Sequence, residues 1–190
     1  MNPVGMIRYS LKDDPSRMAS RVGIWTSLSV FARLAKHLLI GPMQVINLPL
    51  IFTMLAGYFD GASVGFIVGF LSFLISDSFL GMGLWTLVDG FIAGLIGSLM
   101  GIFRRVMNAK LKILFVSSYL FTLSYDILTS WLLYMAFGLA PLNALVIGII
   151  GLFLPVSGGN VLAIGPITEA LTAISFSLLV VELKRRKILG

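Results

Sequence analysis

Residues 84–103 read LWTLVDGFIAGLIGSLMGIF and run directly into Arg104-Arg105. One charge, Asp89, interrupts twenty otherwise uncharged residues. An α-helix needs about 20 apolar residues to cross the hydrocarbon core of a bilayer. A basic pair at the end of such a run is the usual mark of the cytoplasmic interface. This segment therefore decides the class of the molecule: a helix solvated by lipid, anchored by arginines at one end.

The rest of the chain agrees. It is 58% hydrophobic and 12% charged over 190 residues, with a mean hydropathy of +1.00. A soluble domain carries about 25% charged residues, twice this density. Further apolar stretches fall at 18–40, 49–58, 64–76, 113–137 and 161–183, and a shorter one at 142–154. Gly41-Pro42, Asp60-Gly61 and the Pro155-to-Asn160 run PVSGGN separate them. The net charge of +6 is gathered in three places: Arg8 to Arg21, Arg104 to Lys112, and Lys184 to Lys187. Basic clusters beside apolar segments are topology signals, so no nucleic-acid partner is expected. Six crossings place all three clusters on one side. A seventh at 142–154 would export the last cluster, so that stretch reads as a short outer segment. The expected fold is all-α: a polytopic membrane protein with six transmembrane helices plus a short outer segment. Residues 1–17 form a cytoplasmic tail without the apolar core of a signal peptide, and 18–186 form the transmembrane domain. Both termini are expected in the cytoplasm, with the bilayer as solvent.

Glycines at 61, 65 and 69, at 90 and 94, and at 97 and 101 recur every four residues. In lipid such spacing lets helix backbones approach closely. These glycines predict tight packing and carry no ligand argument.

Charged groups inside spans are costly and are read as functional candidates. Arg33, Lys36 and His37 end the first span, Asp77 closes the third, and Asp89 opens the fourth. Asp126 sits at or past the middle of the fifth, and Glu169 lies early in the last. Gln44, Asn47, Trp85 and Asn160 fall at the same level. The alternatives are snorkelling for Arg33 and Lys36, a loop-end position for Asp77, and a structural ion pair, for instance with Arg33, for Asp126 or Glu169. Asp60 stands apart at the opposite end, where it reads as a helix cap. Polar groups gathered towards one face predict a cavity open to the outside and closed below.

No constellation for catalysis appears. The chain has no cysteine and one histidine, which excludes thiol chemistry and a His-rich metal site. It has no phosphate-binding Gly-x-x-x-x-Gly-Lys loop. Tyr125-Asp126 resembles half of an intramembrane aspartyl protease site, but no later Gly-x-Gly-Asp follows. No enzyme activity, cofactor or metal is expected.

The stretch from Asn47 to Gly101, with its proline-started helix, Ala56-Gly57 turn, glycine-rich helix, acidic end, Trp85-Thr86 and second glycine-rich helix, resembles the substrate-binding S components of energy-coupling factor (ECF) transporters. Tyr125-Asp126-Ile127 and the run GPITEA from Gly165 to Ala170 are similar to that family as well. The resemblance implies a substrate-capture subunit of a vitamin importer in the cell membrane. It binds a vitamin-like small molecule at the outer face, with no catalysis of its own. It also implies partners, namely a transmembrane coupling subunit and two ATPase subunits. On this reading Trp85 walls the ligand, while Arg33, Gln44, Asn47, Asp77, Asp89, Asp126, Asn160 and Glu169 supply charge and hydrogen bonds. Ser29, Ala32 and Ala35 would be the small-residue docking face of the first helix, spaced by three where the family has four. Nickel and cobalt members begin Met-His, whereas this chain begins Met1-Asn2. The rival reading is a structural membrane protein of the rod-shape-determinant type, which needs no ligand.

Overall fold

The computed structural model describes residues 15–41, 45–107, 110–154 and 165–186. Gln44 and Asn160 lie outside the described residues, as do the basic residues before Pro15 and Lys187. Within them the chain is all-helical: α1 Pro15–Ile40, α2 Leu48–Asp60, α3 Ala62–Leu80, α4 Leu84–Met107, α5 Leu111–Ala136, α6 Pro141–Leu152 and α7 Gly165–Arg185. Four of these, α3, α4, α5 and α7, are long and apolar enough to cross a membrane, which makes this a multi-pass membrane protein. The other three differ for distinct reasons. Helix α1 is 26 residues long but contains Arg17, Arg21, Arg33 and Lys36. Helices α2 and α6 have 13 and 12 residues, about 20 Å at 1.5 Å per residue, short of the ~30 Å core.

Several boundaries depart from the sequence reading. Helix α1 starts at Pro15, three residues before the expected span. Helix α2 begins at Leu48, one residue before the expected stretch, because Asn47 caps it: its side-chain oxygen accepts from the Leu50 N–H at 3.1 Å, with Pro49 in the first turn. Helix α3 does not stop at Ser76 but continues through Asp77 to Leu80 and ends at Gly81, whose φ is +116°. Asp77 is thus a helical residue, not a loop-end one.

The glycine pattern acts as a zipper between α3 and α4. A Cβ on Gly65 would stand 2.5 Å from the Gly97 carbonyl oxygen, and one on Gly69 would stand 2.5 Å from the Gly94 nitrogen. The pairs 65/97 and 69/94 fix these helices as antiparallel. Gly57 brings α2 onto the same Gly97 carbonyl. With α1 this makes a four-helix group. Helices α5, α6 and α7 form a second group, joined to the first through α4–α5 and α2–α7 contacts. The buried core of Leu50, Met54, Val68, Ile96, Met100, Phe176 and Val180 spans both groups. Phe31, Ile102, Val106, Phe137 and Leu142 are among many large apolar side chains left exposed. That is the surface of a bundle whose solvent is lipid.

The two ends of the bundle differ. At one end lie Arg104, Arg105, Lys184, Arg185 and Arg186. Here Asp60 is not a cap: Gly61 occupies the N-cap of α3 without a side-chain bond. The Asp60 carboxylate instead accepts from the Trp25 indole N–H at 2.6 Å and pairs with Arg21 at 2.9 Å. The other end holds Arg33, Asn47, Asp77, Asp89, Asp126 and Glu169.

Candidate functional site

A cavity of about 380 Å³ opens where the two helix groups diverge. Helix α1 contributes Arg33 and Lys36, α3 Phe73, and α4 Asp89. The start of α2 contributes Asn47, α5 its face from Thr122 to Tyr134, α6 Gly148 and Gly151, and α7 Thr168, Glu169 and Thr172. A second cavity of about 200 Å³ adjoins it, walled by His37, Asp77, Leu80, Gly81 and Trp85. Arg33 and Lys36 stand in both walls.

Helix α5 supplies most of the polarity. Ser118, Thr122, Tyr125, Asp126, Thr129 and Ser130 recur three and four residues apart, which puts them on one side of the helix. A hydroxyl on a buried helix face turns back onto its own backbone. Ser118 donates to the Leu114 carbonyl at 2.7 Å, Thr122 to Tyr119 at 2.9 Å, and Thr129 to Tyr125 at 2.9 Å. Thr172 on α7 likewise donates to the Thr168 carbonyl at 2.7 Å, and its oxygen accepts from the Asn47 backbone N–H at 3.0 Å. These hydroxyls are therefore already provided for.

The carboxyl groups are not all so. Asp77 is held: its Oδ1 lies 2.7 Å from Arg33 Nη1, and it is 1% exposed. Arg33 also donates to the Ser76 hydroxyl and lies over the Phe73 ring at 4.8 Å. The basic group considered as a partner for Asp126 or Glu169 is thus committed to Asp77. In the cavity wall the Asp126 and Glu169 carboxyls lie within hydrogen-bonding reach of one another, from α5 and α7. Glu169 is 1% exposed, and neither of its oxygens meets a hydrogen-bond donor among the described residues.

Five of the sequence-selected residues, Arg33, Asn47, Asp89, Asp126 and Glu169, share the larger cavity. Asp77 and Trp85 belong to the smaller one, and Trp85 is 45% exposed. The Asn47 side-chain oxygen is engaged in capping α2. Thr122, Tyr134 and Thr172 were not singled out from the sequence, and Tyr125 entered only as the neighbour of Asp126 in a motif. The hydroxyl spacing along α5 was the signal that could have found Thr122 and Tyr134; Thr172, on α7, stands one turn after Thr168. Ser29 corrects the docking expectation: it is fully buried inside the bundle, because its side of α1 faces α2 and α3. Ala32 and Ala35 are half-buried.

Comparison of the chain with protein-family models, curated proteins and solved structures returns no match. What the site can do therefore rests on its own chemistry. It offers a polar hollow at one end of an apolar bundle, with a buried carboxyl group, Glu169, that meets no N–H or O–H donor of fixed position among the described residues.

Proposed function

We propose that the chain is the membrane-embedded capture subunit of a micronutrient importer, of the energy-coupling-factor type its sequence resembles. Its cavity binds a small metabolite, and the chain catalyses no reaction. A volume of about 380 Å³ lies within the ~300–1,000 Å³ range of small-molecule sites. The observation that carries the reading is the placement of this hollow. It is polar, it opens at one end, and the opposite end is closed by the Met54–Met100–Phe176 core. A channel would need polar groups at every depth.

On this proposal α1 and α2 complete six crossings with α3, α4, α5 and α7, and α6 is the short outer segment. The basic end, with Arg104, Arg105, Arg185 and Arg186, faces the cytoplasm and carries both termini there, as the positive-inside rule favours. The cavity then faces outward in the cell membrane. The chain has no nucleotide-binding loop, so release to the inside requires a transmembrane coupling subunit and two ATPase subunits.

Native mass spectrometry of the gently solubilised protein tests this. A small molecule co-purifying with the chain, and an ATPase recovered with it at native expression, are the expected results. Bare protein with no bound metabolite and no ATPase would overturn the proposal, leaving a structural bundle of the rod-shape-determinant type.

A further inference from the structure

The charges lining the larger cavity do not balance. Two basic side chains, Arg33 and Lys36, face three acidic ones, Asp89, Asp126 and Glu169. Arg33 is already neutralised by Asp77 at 2.7 Å. That leaves Lys36 against three carboxyls. The chain segments 42–44 and 155–164, which flank the cavity in sequence, contain no ionisable residue, so they bring no counter-charge.

The imbalance is concentrated at one place. Asp126 and Glu169 lie within hydrogen-bonding reach of each other between α5 and α7. Glu169 is buried to 1% exposure, lines the cavity, and has both oxygens without a donor. Leaving a buried carboxyl without a hydrogen-bond partner is costly. A single proton shared between the two carboxyls would still leave one negative charge on the pair, which a ligand bearing N–H donors and positive charge would meet. Beside the pair, Tyr125 packs against Phe73 with ring centroids 6.0 Å apart, so an apolar, aromatic wall adjoins the acidic one.

We infer that the Asp126–Glu169 pair is the recognition element for a small organic cation with two or more N–H donors, of the amidinium, guanidinium or primary ammonium class. This rests on the capture reading and narrows it. A planar amidinium or guanidinium matches the geometry best, because it can give one donor to each carboxyl while its body lies along the aromatic wall. Asp89 adds long-range attraction from α4. Arg33 contributes shape rather than charge, since Asp77 holds it.

Three probes of almost identical size separate charge from shape: benzamidine, benzamide and benzoate. Each is titrated into the detergent-purified full chain freed of any co-purified molecule by extensive washing, and binding is read by calorimetry. Benzamidine is expected to bind at least roughly tenfold more tightly than either analogue, as charge-assisted hydrogen bonds require. Glu169→Gln and Asp126→Asn, checked as monodisperse by size exclusion, should each reduce that preference to about twofold or less, because one charged acceptor is lost. Equal binding of the three probes, a preference for benzoate, or no benzamidine binding would overturn the cation assignment. So would a preference unchanged in both variants. A co-purifying anion or neutral molecule in native mass spectra would overturn the assignment while leaving the capture reading intact, whereas an empty cavity with no ATPase partner would remove both.

Discussion

Arg33 and Asp77 form an ion pair at 2.7 Å between α1 and α3, with side-chain exposures of 18% and 2%. Removing one partner of a buried pair strands the other charge, which costs about 3–5 kcal/mol. Asp77→Asn should therefore lower thermal stability sharply, measured as the fraction of protein still monodisperse after heating. The double variant Arg33→Met with Asp77→Leu should recover much of the loss, because no charge is then left alone. A double variant no more stable than Asp77→Asn would show that the pair is not what holds α1 to α3.

Gly65 and Gly97 approach so closely that a Cβ on the first would lie 2.5 Å from the carbonyl oxygen of the second. The atom that must yield is backbone, so Gly65→Ala and Gly97→Ala should each destabilise by about 1–3 kcal/mol through overpacking. Gly23 is the internal control. It lies in α1 with nothing within 4 Å of a built Cβ, and Gly23→Ala should be neutral or stabilise by about 0.5–1 kcal/mol through helix propensity. Equal effects at the three positions, in the same heating assay, would refute close packing as the reason for the glycines.

These positions also show what the sequence made legible. Periodicity is local information, so the four-residue glycine spacing announced the α3–α4 contact, and the apolar runs announced helices. Helix ends were less readable. Asp77 resembled a loop residue, yet the true stop is Gly81, whose positive φ ends the helix four residues later. Pairing was illegible, because it needs the third dimension. Arg33 was considered for Asp126 or Glu169, and it went to Asp77 because α1 runs beside α3. Asp60 looked like a cap for the same reason: nothing in its neighbourhood along the chain points to Trp25, 35 residues away. The acidic level of the candidate site was readable from depth alone. The hydroxyl face of α5 needed helical spacing to be counted for polar residues as it was for glycines.

At the opposite end, Asp60 accepts from Trp25 and pairs with Arg21, and the two bonds should differ in weight. The Arg21 side chain is 40% exposed, so its ion pair is worth at most about 1 kcal/mol. Trp25 is 7% exposed, and losing its acceptor leaves an indole N–H stranded at a cost of about 1–3 kcal/mol. Arg21→Gln should thus be mild and Asp60→Ala clearly worse, with Asp60→Asn between them. Equal losses for Arg21→Gln and Asp60→Ala in thermal unfolding would contradict this ranking.

Asn47 lines the cavity, but its side-chain oxygen holds the Leu50 N–H. Replacing a capping Asn with Ala costs about 1 kcal/mol. Asn47→Ala should show that loss of stability, and Asn47→Asp, which keeps the accepting oxygen, should not. If Asn47→Asp destabilises as much as Asn47→Ala, the cap is not the residue's main contribution.

The chain has no cysteine, so any introduced thiol is unique and can report which side of the membrane it faces. Met82 and Phe137 are 57% and 68% exposed at the cavity end, while Val106 is 73% exposed at the basic end. With the cavity facing outward, Met82→Cys and Phe137→Cys should react with a membrane-impermeant maleimide on intact cells. Val106→Cys should react only after the membrane is opened. The reverse pattern would turn the molecule over and place its cavity towards the cytoplasm, which is incompatible with capture from outside. Labelling of all three in sealed cells would break the six-crossing arrangement itself, because α3, α4 and α5 would then no longer carry the α3–α4 and α5–α6 turns to one side and the α4–α5 turn to the other.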